Sequence, residues 1–178
     1  MKSRYLIPIF VMIVMGAIFV VGLGRDPTKL PSPFIGKAAP AMDLPDLFDD
    51  SVRISNKTFA GDMVLINFWA TWCPGCFDEH DFLLELAASG VIPIYGINWR
   101  DNRTEAISWL QRLGDPFTAN AFDGNNRTGI DWGVYGAPET FLIDAQGTVI
   151  YKHLGPLSRD SWQRDFVPIL NARDTNAP

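Results

Sequence analysis

Cys73 and Cys76 are the only cysteines in a chain of 178 residues, and they stand two residues apart in Trp72-Cys73-Pro74-Gly75-Cys76. They follow directly on the apolar run Val64-Leu65-Ile66-Asn67-Phe68-Trp69-Ala70. A strand that feeds a Cys-x-x-Cys opening a helix is the layout of a thiol–disulfide exchange centre. The spacing lets the two sulfurs close a small disulfide. It also sets the first thiol at a helix N-terminus, where unpaired N–H groups and the helix dipole favour the thiolate.

Other uses of the pair fit less well. A structural zinc usually takes four ligands, and only His80 and His153 are left to complete a set. Haem attachment wants His directly after the second Cys, where this chain has Phe77. A purely structural disulfide closing so short a loop restrains the unfolded chain little. The reading is a redox-active Cys73–Cys76 disulfide, with no metal and no other cofactor.

The elements that must position the pair alternate along the chain. Val64–Trp69 reads as a strand buried on both faces. Pro74 to Ser89 follows with helical spacing, with Phe77, Phe82, Leu83, Leu86 and Ala87 near one stripe and Gly90 as the stop. Val91–Ile97 is a second buried strand, and residues 104–114 form an amphipathic helix ending at glycine. Thr140–Ile143 and Thr148–Lys152 are strands joined across Asp144-Ala145-Gln146-Gly147, a hairpin turn. Residues 160–170 form a closing helix, with Pro168 predicting a late break. Residues 41–59 read as a short hairpin before the core. The result is an α/β domain with a mixed sheet flanked by helices.

The ends carry separate information. Tyr5 to Gly24 is an uncharged run of 20 residues, the length of a bilayer-crossing helix, preceded by Lys2 and Arg4. A signal peptide would have a shorter apolar region and a small-x-small site, which Val20-Val21-Gly22-Leu23-Gly24 matches poorly. The predicted organisation is a cytoplasmic N-terminus at 1–4, a transmembrane signal-anchor at 5–24, a Pro-rich linker at 25–36, a folded domain at 37–170 and a flexible tail at 171–178. Residues 1–24 hold two cations and no acid, so the remainder carries 13 basic and 20 acidic residues, a net charge of −7. Such a balance disfavours nucleic acid and anionic lipid surfaces as partners.

Three stretches give the chain a family resemblance: Asn67-Phe68-Trp69-Ala70-Thr71-Trp72-Cys73-Pro74-Gly75-Cys76-Phe77-Asp78-Glu79-His80, then Ala106-Ile107-Ser108-Trp109-Leu110, then Phe122-Asp123-Gly124 with Gly133-Val134-Tyr135-Gly136-Ala137-Pro138-Glu139-Thr140. Over nearly all of residues 37–170 it looks like a thioredoxin-fold protein. More narrowly, it resembles the membrane-anchored CcmG/DsbE thiol–disulfide proteins of bacterial cytochrome c maturation. The resemblance implies a cis Pro138 facing the cysteines, with Ala137 offering its backbone to a substrate strand. It also implies that Trp72 shields the site and joins Ala137, Pro138 and Glu139 in substrate binding.

One departure stands out. Thioredoxins carry a buried Asp six residues before the first Cys, where this chain has Asn67, which cannot take a proton from a thiol. Glu79, three residues beyond Cys76 and on the same helical face, becomes the candidate acceptor; Glu139 is the second. Asp78 is expected to face solvent, Trp69 to pack in the core, and His80 to be a surface or capping residue. The resemblance implies a periplasmic, inner-membrane-anchored reductase acting on apocytochrome c or its haem-ligation partner. A membrane reductant of the DsbD/CcdA kind would supply its electrons. The alternatives are a general periplasmic oxidant or isomerase and, further off, a copper-binding assembly factor. The latter would want a histidine facing the thiols. Asn56, Asn102 and Asn126 each begin an Asn-x-Thr triplet, read as surface loops rather than glycosylation sites.

Overall fold

The computed structural model describes residues 3–23 and 33–174. The chain divides into two compact units, Met1–Leu30 and Pro31–Pro178. The first contains helix α1, Ser3–Leu23. Its described side chains, 7–20, are all exposed. Among the described residues no helix is long and apolar enough to cross a membrane. Residue 24 of the expected anchor, most of the linker (25–32) and the end of the tail (175–178) lie outside the described residues.

The second unit is built on a five-stranded sheet, ordered β5-β4-β3-β6-β7. β3 (Val64–Trp69), β4 (Ile94–Trp99) and β5 (Ala119–Asp123) run parallel, while β6 (Glu139–Ile143) and β7 (Val149–Leu154) are antiparallel. β3 lies centrally and all six of its residues are buried, as its uninterrupted apolar run requires. Ile66 and Phe68 join one core with Phe141, Trp132 and Trp99, whereas Leu65 packs with Leu83, Leu86, Leu142, Trp162 and Phe166. The expected mixed sheet flanked by helices is thus present, with α2 (Pro74–Ser89) leaving the C-terminal end of β3. A short hairpin, β1 (Asp43–Pro45) with β2 (Arg53–Ser55), precedes the sheet.

Several boundaries differ from those the sequence predicts, each for a physical reason. β4 starts at Ile94 rather than Val91, which is exposed; Pro93 has no N–H to give a ladder, and its carbonyl instead accepts from Leu65 N–H at 3.0 Å. Helix α3, Arg103–Leu113, is capped by Asn102, whose side chain accepts from the amides of Thr104 and Glu105. α4 (Arg127–Asp131) follows β5. At the C-terminus, α5 (Arg159–Ser161) passes through a π-helical turn at Trp162–Phe166 into α6 (Val167–Asp174). Pro168 does not break the helix: the wide turn, with Val167 N–H bonded to Trp162 O, puts the proline in the first turn of α6, where no donor is needed.

The buried stripe of α2 is also rotated from the expected one. Cys76, Glu79, His80, Leu83 and Leu86 face inward, and Phe77 is 61% exposed. Two polar residues occupy the inner face because the fold supplies partners for them.

Candidate active site

Cys73 is the N-cap of α2, with extended backbone at φ −95° and ψ 109°, and Pro74 opens the helix. Cys73 and Cys76 form a disulfide, their Cα atoms 5.3 Å apart. The Cys76 amide donates to Cys73 Sγ at 3.0 Å. That N–H is one of the orphan donors of a helix start, and with the helix dipole it would stabilise a thiolate at Cys73.

The loop entering the motif is tied down. Thr71 N–H and Thr71 Oγ1 both donate to the carboxylate of Asp101, at 2.6 and 2.7 Å. The Trp72 indole donates to Arg100 O at 3.0 Å while its ring remains 52% exposed. Trp72 therefore stands on the surface directly beside Cys73, whereas Trp69 is buried with its indole on Asn120 Oδ1. A groove of about 510 Å³ opens beside Trp72, lined by Thr71, Thr104, Ser108, Trp109 and Arg112.

The opposite wall comes from distant sequence. The Ala137–Pro138 peptide is cis, the form the resemblance implies. A Cβ placed on Gly75 would lie 3.0 Å from Pro138 Cδ and 3.0 Å from Pro156 Cγ. The middle of the Cys-x-x-Cys is thus wedged between two rigid rings. Gly155 N–H donates to Pro138 O at 3.0 Å, and Leu157 N–H donates to Glu79 Oε2 at 2.7 Å. The segment 155–157 straps the motif, the proline and the carboxyl together. Its one local signal in the sequence is Gly155-Pro156 straight after a strand.

Glu79 is 1% exposed. Its Oε1 accepts from Asn67 Nδ2 at 2.9 Å, and the same Asn67 amide donates to Thr140 Oγ1 at 3.0 Å. Burial dominates its ionisation. Removal from water raises the carboxyl from an ordinary 4.5 to about 8, against the opposing pull of the bonds from Leu157 and Asn67. At neutral pH Glu79 holds its proton in the oxidised state. Asn67, placed where a proton-accepting Asp was absent, thus orients the carboxyl that lies one helical turn beyond Cys76.

Glu139 is buried but paired. Its Oε2 lies 2.7 Å from Lys152 Nζ, and Oε1 accepts from the amides of Tyr135 and Gly136 at 2.9 and 3.3 Å. Asp78 is exposed, as expected. His80 is not a surface residue: it is 3% exposed, its ring edge-on to Trp109 at 4.3 Å and its Nε2 3.4 Å from Leu113 O. Burial lowers its pKa and so favours the neutral ring, against the opposing pull of the Leu113 and Gly114 carbonyls. The aromatic wall of α3 supplies a surface that helical spacing alone does not reveal. Among the described residues no group of three or more His, Cys, Asp or Glu is arranged to hold a metal.

Residues 34–167 match the Redoxin family. The chain is 43% identical over 168 residues to the thiol:disulfide interchange protein DsbE of Allochromatium vinosum, covering 94% of this chain and 93% of that protein. It is 41% identical over 174 residues to DsbE of Escherichia coli K12, covering 94% of each. Among solved structures, a secreted thiol-disulfide isomerase of Corynebacterium glutamicum superposes with a TM-score of 0.66 at 23% identity, over 83% of this chain and 96% of that one. At that identity the likeness concerns the fold.

Proposed function

The chain belongs to the redoxin family and to its DsbE thiol:disulfide interchange proteins, and we propose that it works as a membrane-anchored reductase of protein disulfides in cytochrome c maturation. It is a thiol–disulfide oxidoreductase. The observation that carries the exchange chemistry is Cys73 Sγ at the N-cap of α2, accepting the Cys76 amide.

In the reduced state the Cys73 thiolate attacks one sulfur of a substrate disulfide. A mixed disulfide forms, and the displaced substrate thiolate takes up a proton. Cys76 then gives up its proton, and its thiolate attacks Cys73 Sγ. The second substrate sulfur leaves as a thiolate and is protonated. Two electrons pass to the substrate and the Cys73–Cys76 disulfide is left behind, so no further cofactor is needed. Glu79, three residues along the same helical face from Cys76, is the acceptor we assign to the Cys76 proton; it accepts only in its ionised form, which burial confines to pH near and above about 8, so the step quickens as pH rises through that range. Trp72, Ala137 and Pro138 form the substrate-facing rim.

The role in the cell rests on the family. Apocytochrome c or a haem-ligation protein is the proposed substrate, and a DsbD/CcdA-type membrane thiol reductant the proposed donor. The uncharged Tyr5–Gly24 run of the sequence supports a single-pass anchor in the bacterial inner membrane, with the catalytic domain in the periplasm. An oxidising compartment requires such a reductase to be recharged. The experiment is capture with the full-length Cys76→Ala protein, which accumulates the mixed disulfide through Cys73. Recovery of c-type apocytochromes or their ligation factors supports the reading. A catch of many unrelated secreted proteins, with a redox potential near or above that of glutathione, favours the general oxidant or isomerase instead.

A further inference from the structure

We propose that Lys152 is a positioning residue for the substrate-facing loop, and that it acts through Glu139. Lys152 lies on β7, opposite Phe141 of β6. Its side chain is 5% exposed and that of Glu139 is 4% exposed. The ammonium makes three kinds of contact. It pairs with Glu139 Oε2 at 2.7 Å, donates to Gly133 O at 2.8 Å, and stands 5.1 Å from the ring centre of Tyr135 and 4.9 Å from that of Phe141.

Glu139 extends the hold in the other direction, its Oε1 accepting the amides of Tyr135 and Gly136. Together the two side chains grip residues 133–136 at a carbonyl and at two amides. The other backbone ties at the start of this segment, Gly133 N–H to Ile130 O and Val134 N–H to Gly129 O, lead back to α4. Ala137 and Pro138 come next in the chain, between the gripped segment and Glu139 itself. The pair therefore sets where the backbone of Ala137 lies against the disulfide.

A buried ion pair is costly to desolvate, and an apolar residue of similar volume often replaces one without loss of stability. A buried lysine on a strand that could carry methionine points to geometry rather than stability. The same contacts occupy both oxygens of Glu139, which leaves proton transfer at Cys76 to Glu79.

The inference rests on the exchange chemistry proposed above, and the test separates the two. Full-length wild type, Lys152→Met and Lys152→Arg are compared on an oxidised peptide with one intramolecular disulfide and on hydroxyethyl disulfide, which has no peptide backbone to align. Lys152→Met is expected to raise KM for the peptide about tenfold with kcat within about twofold, and to lose far less on hydroxyethyl disulfide. Lys152→Arg, which can keep both the ion pair and the bond to Gly133 O, is expected to restore KM to within about threefold. Hydrogen exchange at the Tyr135 and Gly136 amides should quicken in Lys152→Met, while β3 and β4 amides stay protected. Equal losses on both disulfides, or unchanged exchange at those two amides, overturn the clamp. Wild type inert toward the peptide would remove the exchange reading, and the hydrogen-exchange comparison would still decide the clamp.

Discussion

Replacing Glu79 by Gln should abolish a pH dependence of stability that is unusual in direction. In the folded, oxidised protein burial holds the carboxyl up at about 8, against an ordinary 4.5. Below pH about 4.5 both folded and unfolded chains carry the proton, and the group contributes no pH-dependent difference. Between about 4.5 and 8 the unfolded chain releases the proton while the folded one retains it, so the unfolded state binds fewer protons and stability falls as pH rises. Above about 8 both states are ionised and the loss is complete. The gap between an ordinary 4.5 and about 8 corresponds to roughly 4–5 kcal/mol.

The Gln variant has no such titration. Its carbonyl oxygen can keep the bond from Leu157 N–H, and its amide can face Asn67 once that side chain turns over. Among the described residues Asn67 Oδ1 is buried with no hydrogen-bond partner, and it can become the acceptor. The assay is denaturant unfolding of the oxidised wild type and Glu79→Gln from pH 4.5 to 9. The wild-type free energy, minus that of the variant, should fall by several kcal/mol across that range and level off above about pH 8. Parallel curves with a constant gap would refute the raised ionisation and, with it, the claim that Glu79 is held protonated beside Cys76.

The same group predicts a kinetic signature: release of substrate from the mixed disulfide should accelerate as pH rises through about 8 in the wild type and show a weaker rise in Glu79→Gln, read by single-turnover quench. Identical pH profiles would take Glu79 out of the proton transfer. Gly75→Ala should destabilise the oxidised protein by about 1–2 kcal/mol in thermal or denaturant unfolding, because the new methyl meets Pro138 and Pro156 at 3.0 Å and neither ring can swing away. A gain in stability would show that the wedge yields. Asn102→Ala should cost about 1 kcal/mol by removing the cap on the Thr104 and Glu105 amides, measured by denaturation, with the rate of Cys73 attack retained.

Much of the redox centre could be read locally. The strand Val64–Trp69, the helix Pro74–Ser89, its glycine stop and the hairpin turn at 144–147 are all set by neighbours within a few residues, through periodicity, capping and backbone freedom. The reactive cysteine is such a case: a Cys-x-x-Cys at a strand–helix junction defines its own N-cap. What lies on the inner face of that helix was less legible. Phe77 looked like a core residue and is exposed, while the polar Glu79 and His80 point inward. Periodicity ranks side chains by apolarity, and it does not register a partner that waits 78 residues away, as the Leu157 amide does for Glu79.

The residues alone carry the redox chemistry of Cys73 and Cys76, the α/β class and, through three motif stretches, the family resemblance. What surrounds that chemistry is a matter of packing. The raised ionisation of Glu79, the wedge on Gly75 and the grip of Lys152 and Glu139 on residues 133–136 all depend on which atoms exclude water from a group and which replace its hydrogen bonds. Apart from Asn67 on β3, those atoms come from residues 133–157, far along the chain, so no local pattern around the cysteines encodes them.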